Sequence, residues 1–209
     1  MQRSIATVSL SGTLPEKLEA IAAAGFDGVE IFENDLLYYA GSPRQVRQMC
    51  ADLGIAITLF QPFRDFEGCR RDRLQKNLDR AERKFDLMQE LGTDRILVCS
   101  SVAADTSQDD ALIADDLRQL AERAARRDIL VGYEALAWGR HVYSYRHAWR
   151  LVQQADHPNL GIILDSVHSL AITDDLSLRC GERSQLARRW RCDDARGLCS
   201  VEQHLRSEL

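Results

Sequence analysis

Short apolar segments of strand length alternate with amphipathic segments of helix length along most of this chain. The predicted strands cover residues 4–9, 28–32, 55–61, 95–100, 129–134 and 160–165. Between them, apolar residues at helical spacing predict helices over residues 14–24, 42–53, 71–91, 108–127 and 145–155. Alternating strands and helices form a parallel sheet with the helices packed outside it. The chain is therefore predicted to be an α/β protein.

The alternation alone is compatible with two closures, an open doubly wound sheet or a barrel. The sequence contains no GxGxxG or GxxxxGK[ST] loop, which makes a nucleotide-binding sheet less favoured. A complete eight-fold barrel needs about 250 residues, whereas this sequence has 209 residues. We therefore predict an incomplete barrel of the (β/α)8 TIM-barrel type, with about six strands recognisable.

The character of the sequence changes after about Asp175. Residues 176–209 contain seven arginines, three of the six cysteines and no lysine, and they have no strand-like apolar run. This pattern predicts a partial barrel over residues 1–175 and an atypical tail over residues 176–209. The tail is interpreted either as a polar C-terminal helix or, preferably, as a shifted reading frame or other replacement of the original end.

Composition narrows the functional classes. A formal net charge of -5 disfavours a nucleic-acid partner, because phosphate binding needs a clustered basic surface. No run of 18 apolar residues is present, and residues 1–8 lack the apolar stretch of a signal peptide. The cysteines contain no CxxC pair, which favours reduced thiols over a zinc site. We expect a cytoplasmic protein with no membrane partner.

Two carboxylates follow apolar strands at positions where parallel folds collect reactive groups. Glu134 ends the fifth predicted strand, and Asp165 ends the sixth. Carboxylates are costly to bury unless paired, and a divalent cation such as Mg²⁺, Mn²⁺ or Co²⁺ would offset their repulsion. The alternative is that they cap helices or pair with Arg140 or Arg64.

Three further residues are candidates for contact with a ligand. His168 follows Asp165 by three residues, although a lone histidine there is often a surface or core residue. Arg64 follows the third strand and could bind a carboxylate bidentately, but an exposed loop arginine is the commoner outcome. His141 is the weakest candidate, since it could lie in a solvated loop.

The spacing of these residues resembles a known family. Glu134, followed after about thirty residues by Leu164-Asp165-Ser166-Val167-His168, is similar to the sugar-phosphate isomerase/epimerase family, the xylose-isomerase-like TIM barrels. The stretch AGFDGVEIF at residues 24–32 also fits that family. Residues 58–68 and 132–141 resemble the bacterial 3-dehydroshikimate dehydratases of quinate and shikimate catabolism. The resemblance covers roughly residues 1–173.

The resemblance implies one divalent metal held by four side chains, with Glu134 as the first ligand and Asp165 as the second. The third and fourth come from later strands, which are not recognisable here. It also implies elimination of water from 3-dehydroshikimate to give protocatechuate, with His168 as the base or as the hydrogen-bonding partner of the enolate. Arg64 and His141 are then the candidate contacts to this small-molecule carboxylate substrate.

Three other interpretations remain open. The chain could be a sugar or inosose isomerase, epimerase or dehydratase of the same fold. A three-metal endonuclease of that fold is disfavoured by only five histidines and by the acidic charge. The third possibility is an inactive, truncated member with an open sheet, which would be poorly stable and could associate into a homo-oligomer through its strand edges.

Overall fold

The computed structural model describes residues 2–172. The strands are β1 (Ser4–Ala6), β2 (Gly28–Phe32), β3 (Ala56–Phe63), β4 (Arg95–Cys99), β5 (Leu130–Glu134) and β6 (Leu160–Ile163). The helices are α1 (Leu14–Ala23), α2 (Glu33–Tyr38), α3 (Pro43–Asp52), α4 (Arg71–Leu91), α5 (Asp110–Ala125), α6 (Tyr145–Ala155) and α7 (Ser166–Ile172). The predicted tail and the reading-frame hypothesis fall on residues outside those described.

Each strand pairs in parallel with the next one along the chain, so the sheet order is β1-β2-β3-β4-β5-β6. A doubly wound sheet reverses its strand order at a switch point, and no reversal occurs over these six strands. The register places Cys99 opposite Glu134 and Glu134 opposite Ile163. The C-terminal ends of β4, β5 and β6 therefore meet at one edge, as the predicted barrel type requires.

Alternate residues of the strands enter two separate apolar layers, because successive side chains point to opposite faces. On β4, Ile96 and Val98 face the helices and join the main core, which includes the fully buried Phe85 of α4. Leu97 and Cys99 face inward and pack with Leu59, Leu136 and Ile163. The inner layer lies directly beneath the C-terminal ends of the strands.

The predicted bounds of α4 and α6 are confirmed without change. Gly92 ends α4 with a φ of 75°, a left-handed conformation that glycine adopts without strain. Ser144 begins α6 by accepting a hydrogen bond from the backbone N–H of His147. Because these capping residues are local in sequence, the sequence pattern predicts the ends of both helices well.

Several details differ from the sequence prediction, and most of the other predicted bounds shift by one or two residues. The first strand stops at Ala6, and Thr7–Ser9 form a 3₁₀ turn in which the Thr7 hydroxyl accepts the N–H of Phe32 at 3.0 Å. Helix α2 was not predicted, because six residues are too few for a clear periodic pattern; ion pairs from Lys17 to Asp35 and from Lys84 to Glu33 hold it. The sixth strand ends at Ile163.

Candidate active site

Glu134, Asp165 and His168 form one group of side chains, the Glu134 cluster, at the C-terminal edge of the sheet. Each residue offers a donor atom, and these atoms all lie within 4.8 Å of one another. Glu134 is the last residue of β5, and Asp165 lies two residues beyond β6. Their exposed fractions are only 6% and 7%. The structure thus brings together the three residues predicted to hold metal and to catalyse.

The two carboxylate oxygens of Asp165 have different surroundings. Oδ1 accepts hydrogen bonds from the backbone N–H groups of Val167 (2.6 Å) and His168 (3.3 Å), so Asp165 caps α7 as the alternative interpretation held. Oδ2 lies 3.7 Å from Nε2 of His168. The capping bonds fix the carboxylate, and the second oxygen faces the cluster.

Trp138 forms one wall of the cluster. Its ring meets the His168 ring edge to face, with the ring centroids 4.8 Å apart. Trp138 belongs to the β5–α6 loop, residues 135–144. The backbone of this loop at Gly139 lies very close to neighbouring atoms. A Cβ atom at that position would lie 2.1 Å from the carbonyl oxygen of Val142 and 2.6 Å from Oγ of Ser100. Only glycine fits this backbone.

The donor set of the Glu134 cluster suits a divalent cation. Two carboxylates held this close repel each other when both are ionised, and a bound cation removes that cost. Carboxylate oxygens suit Mg²⁺ and Mn²⁺, and a neighbouring imidazole also suits Zn²⁺ and Co²⁺. The residues present therefore fit a metal centre, with coordination positions left for further ligands.

The Cys99 thiol lies beneath the cluster, with Sγ 3.8 Å from Oε2 of Glu134. Burial raises the pKa of this thiol strongly, and the charge of Glu134 raises it further, whereas the charge of Arg64 lowers it. Cys99 is therefore an unreactive thiol at neutral pH. Arg64 is an exposed residue directly after β3. Because its charge acts on the Cys99 thiol, Arg64 lies near the same end of the sheet.

Glu67 is a buried carboxyl group that the sequence analysis missed. It is 1% exposed, and Oε1 accepts hydrogen bonds from the Ser101 N–H (2.6 Å) and the Tyr133 hydroxyl (3.0 Å). Oε2 is buried and has no hydrogen-bond partner among the described residues. Burial raises the pKa of Glu67 to about 7. Because Tyr133 precedes Glu134, this network supports the end of β5.

Glu67→Gln is expected to flatten the pH dependence of stability. A carboxyl whose pKa rises on folding from an ordinary 4.5 to about 7 stabilises the fold fully below pH 4.5, and this stabilisation is lost as pH rises through 7. The loss is roughly 3 kcal/mol. Urea unfolding at pH 5 and pH 8 measures it. The exposed Glu19→Gln should keep the wild-type slope, and an unchanged slope in Glu67→Gln would contradict the assignment.

His141 was predicted to bind substrate, but the structure does not place it in the Glu134 cluster. Its Nε2 atom lies 2.8 Å from Oδ1 of Asp110, and Nε2 of His147 lies 2.8 Å from the same oxygen. These three residues form a separate group, the Asp110 cluster. The substrate contact of His141 stays a prediction, as does that of Arg64.

The sequential βα order of the six described strands, with buried carboxylates at the ends of β5 and β6, is that of a βα-barrel. The profile of the xylose isomerase-like TIM barrel family matches residues 18–196. The chain belongs to this family, which confirms the predicted fold and family. No helix among residues 2–172 combines the length and the apolar character needed to cross a membrane.

Three relatives illustrate the similarity. A 3-dehydroshikimate dehydratase of Pseudomonas putida is 80% identical over 177 residues, covering 85% of this chain and 28% of that protein. A solved xylose isomerase-like TIM barrel/4-hydroxyphenylpyruvate dioxygenase fusion protein superposes with a TM-score of 0.81 and 82% identity, over 81% of this chain and 27% of the other. The IOLI protein with a bound zinc atom shares the fold, with a TM-score of 0.76 and 17% identity, over 84% of this chain and 66% of the other. The chain thus spans about a quarter of the first two relatives.

Proposed function

We propose that this chain supplies six strands of the barrel of a divalent-metal-dependent 3-dehydroshikimate dehydratase, which converts 3-dehydroshikimate to protocatechuate and water. The observation that carries the proposal is the Glu134 cluster, with its donor atoms within 4.8 Å at the C-terminal edge of the sheet. The 80% identity to an enzyme of that name in Pseudomonas putida supports the choice of substrate.

Glu134 and Asp165 would hold the metal ion, for which Mg²⁺, Mn²⁺ and Co²⁺ are the proposed candidates. When bound, the ion would act as a Lewis acid towards the substrate ketone. Asp165 is suited to its part because capping of α7 fixes its carboxylate while Oδ2 faces the cluster. The zinc atom described for the IOLI protein supports a metal in this fold.

His168 is the proposed base. An imidazole is the side chain that most often serves as a general base in enzymes. His168 would remove the proton next to the ketone and pass it to the leaving hydroxyl, so that the ring carbon–oxygen bond breaks and water leaves. Its ring is held between Asp165 and Trp138, which orients it for that transfer. Aromatisation then makes the reaction strongly downhill.

Arg64 is the proposed partner of the substrate carboxylate, since a guanidinium binds a carboxylate bidentately. Two observations support this role. Arg64 is exposed directly after β3, and its positive charge acts on the Cys99 thiol beneath the Glu134 cluster. We also propose that the protein acts in the cytoplasm, supported by the free thiols of Cys50, Cys69 and Cys99. A homo-oligomeric state stays a prediction.

The test is formation of protocatechuate from 3-dehydroshikimate by the purified chain, with Mn²⁺ and with a chelator. We expect product with Mn²⁺ and none after chelation. Folded chain that gives no product at saturating Mn²⁺, or equal product after complete metal removal, would overturn the proposal. Neutral inososes serve as a matched substrate control, because they lack the carboxylate assigned to Arg64.

A further inference from the structure

The Asp110 cluster brings two imidazoles to one carboxylate from three separate parts of the chain. Asp110 is the first residue of α5, His141 belongs to the β5–α6 loop, and His147 lies in the first turn of α6. Nε2 of each histidine lies 2.8 Å from the same Oδ1 atom. The two rings meet edge to face at 4.9 Å. All three donor atoms therefore converge on one small volume.

Local hydrogen bonds fix the backbone under each donor. The Asp109 side chain accepts the N–H of Ala111 at 2.9 Å, which anchors the start of α5 beside Asp110. Ser144 accepts the N–H of His147 at 3.3 Å. On the loop, the Arg140 N–H donates to the Ser101 carbonyl at 2.8 Å, next to His141. These three hydrogen bonds fix the backbone of the Asp110 cluster, and none of them involves a residue of the Glu134 cluster.

The side chains are shielded but reachable from solvent. The exposed fractions are 21% for His141, 14% for His147 and 45% for Asp110. An ion from solvent can therefore reach the three donor atoms.

We propose that Asp110, His141 and His147 form a second metal site, which takes a divalent transition ion and for which Zn²⁺ is the best match. Two imidazoles and one carboxylate are a preferred donor set for this ion, with bond lengths near 2.0–2.1 Å. Donors of a tetrahedral ion then lie about 3.3 Å apart, so the 2.8 Å contacts need to open by only about half an ångström. Water completes the coordination.

The site would join the start of α5, the β5–α6 loop and the start of α6. On this assignment His141 serves the second ion in place of the substrate contact predicted from the sequence. The inference is independent of the proposed function, because it uses none of the residues of the Glu134 cluster. A failure to bind zinc at the Asp110 cluster and a failure to convert 3-dehydroshikimate are therefore separate experimental results.

The test first removes the carboxylates of the Glu134 cluster and three thiols that could compete for zinc. The background chain carries Glu134→Gln and Asp165→Asn, which disable the Glu134 cluster. It also carries Cys180→Ser, Cys192→Ser and Cys199→Ser, because thiolates bind zinc. After chelation and dialysis, this chain is titrated with Co²⁺ and with Zn²⁺. We expect one equivalent of bound ion, a cobalt absorption spectrum without a thiolate charge-transfer band, and a raised melting temperature.

His147→Ala and His141→Gln, added separately to the background chain, should each weaken Zn²⁺ binding at least about tenfold, since each removes one of three protein ligands. His157→Ala, which lies outside both clusters, should leave the affinity unchanged. Circular dichroism confirms that each variant is folded. No bound ion in the background chain, or wild-type affinity in folded His147→Ala, would overturn the second site.

Discussion

Replacing Glu134 with glutamine is expected to lower kcat/KM for 3-dehydroshikimate by about a thousandfold and to weaken Mn²⁺ binding in parallel. Glutamine keeps the size of the side chain but removes the charge that balances the cation. A metal ion supplies several kcal/mol of charge stabilisation, and each 1.4 kcal/mol corresponds to a factor of ten in rate. Calorimetric titration with Mn²⁺ and the protocatechuate assay measure the two effects.

Glu122→Gln is the matched control, because Glu122 lies on α5 in an exposed pair with Arg118. It should keep both the affinity and the rate, since exposed pairs contribute little. A Glu134→Gln chain that binds Mn²⁺ as tightly as the wild type would remove Glu134 from the metal centre. If that chain bound metal weakly but kept its turnover, the metal would have no part in the reaction.

Replacing His168 with glutamine separates the role of a base from that of a metal ligand. A positioned base contributes about 10²- to 10⁴-fold in rate, so kcat should fall within that range. Mn²⁺ affinity should stay within about threefold of the wild type, because the two carboxylates remain and hard cations prefer oxygen donors. The protocatechuate assay gives kcat, and calorimetric titration gives the Mn²⁺ affinity.

Trp138→Phe is the control for packing against the His168 ring. Phenylalanine keeps an aromatic edge beside the imidazole, so kcat should change far less than in His168→Gln. A large loss of Mn²⁺ affinity in His168→Gln would instead identify His168 as a ligand. Wild-type kcat in that variant would show that another group removes the proton.

The Glu134 cluster could be predicted from the sequence because its geometry follows from the fold. Parallel neighbouring strands end at the same edge, and so a carboxylate ending β5 and one just after β6 must approach each other. His168 follows because one helical turn carries residue 168 back over residue 165. The predicted metal ligands and the predicted elimination of water came from the family resemblance of residues 132–141 and 164–168.

The Glu67 network could not be predicted in this way. The partners of Glu67 come from residues 101 and 133, which lie 34 and 66 positions away along the chain. No local pattern indicates which carboxyl of a loop turns inward. The sequence did not indicate Asp110 as a site residue for a similar reason, since an aspartate at a helix start is usually a solvated first-turn residue.

The short helix α2 shows the same limit at the level of the fold. It depends on the pairs Lys17–Asp35 and Lys84–Glu33, which join it to α1 and α4. Isolated helices of this length are unstable in water, so its formation is decided by contacts that a local pattern does not contain. The long α4, by contrast, carries its own periodicity and its own terminating glycine.

The cramped backbone at Gly139 has a consequence for engineering substrate choice. The loop it fixes presents Trp138 to one cluster and His141 to the other. Libraries that vary Trp138 would therefore change the side chain packed against His168 while the loop backbone stays the same. Grafting a loop of another length, or substituting residue 139, would displace both groups at once, and such libraries should yield mostly misassembled proteins.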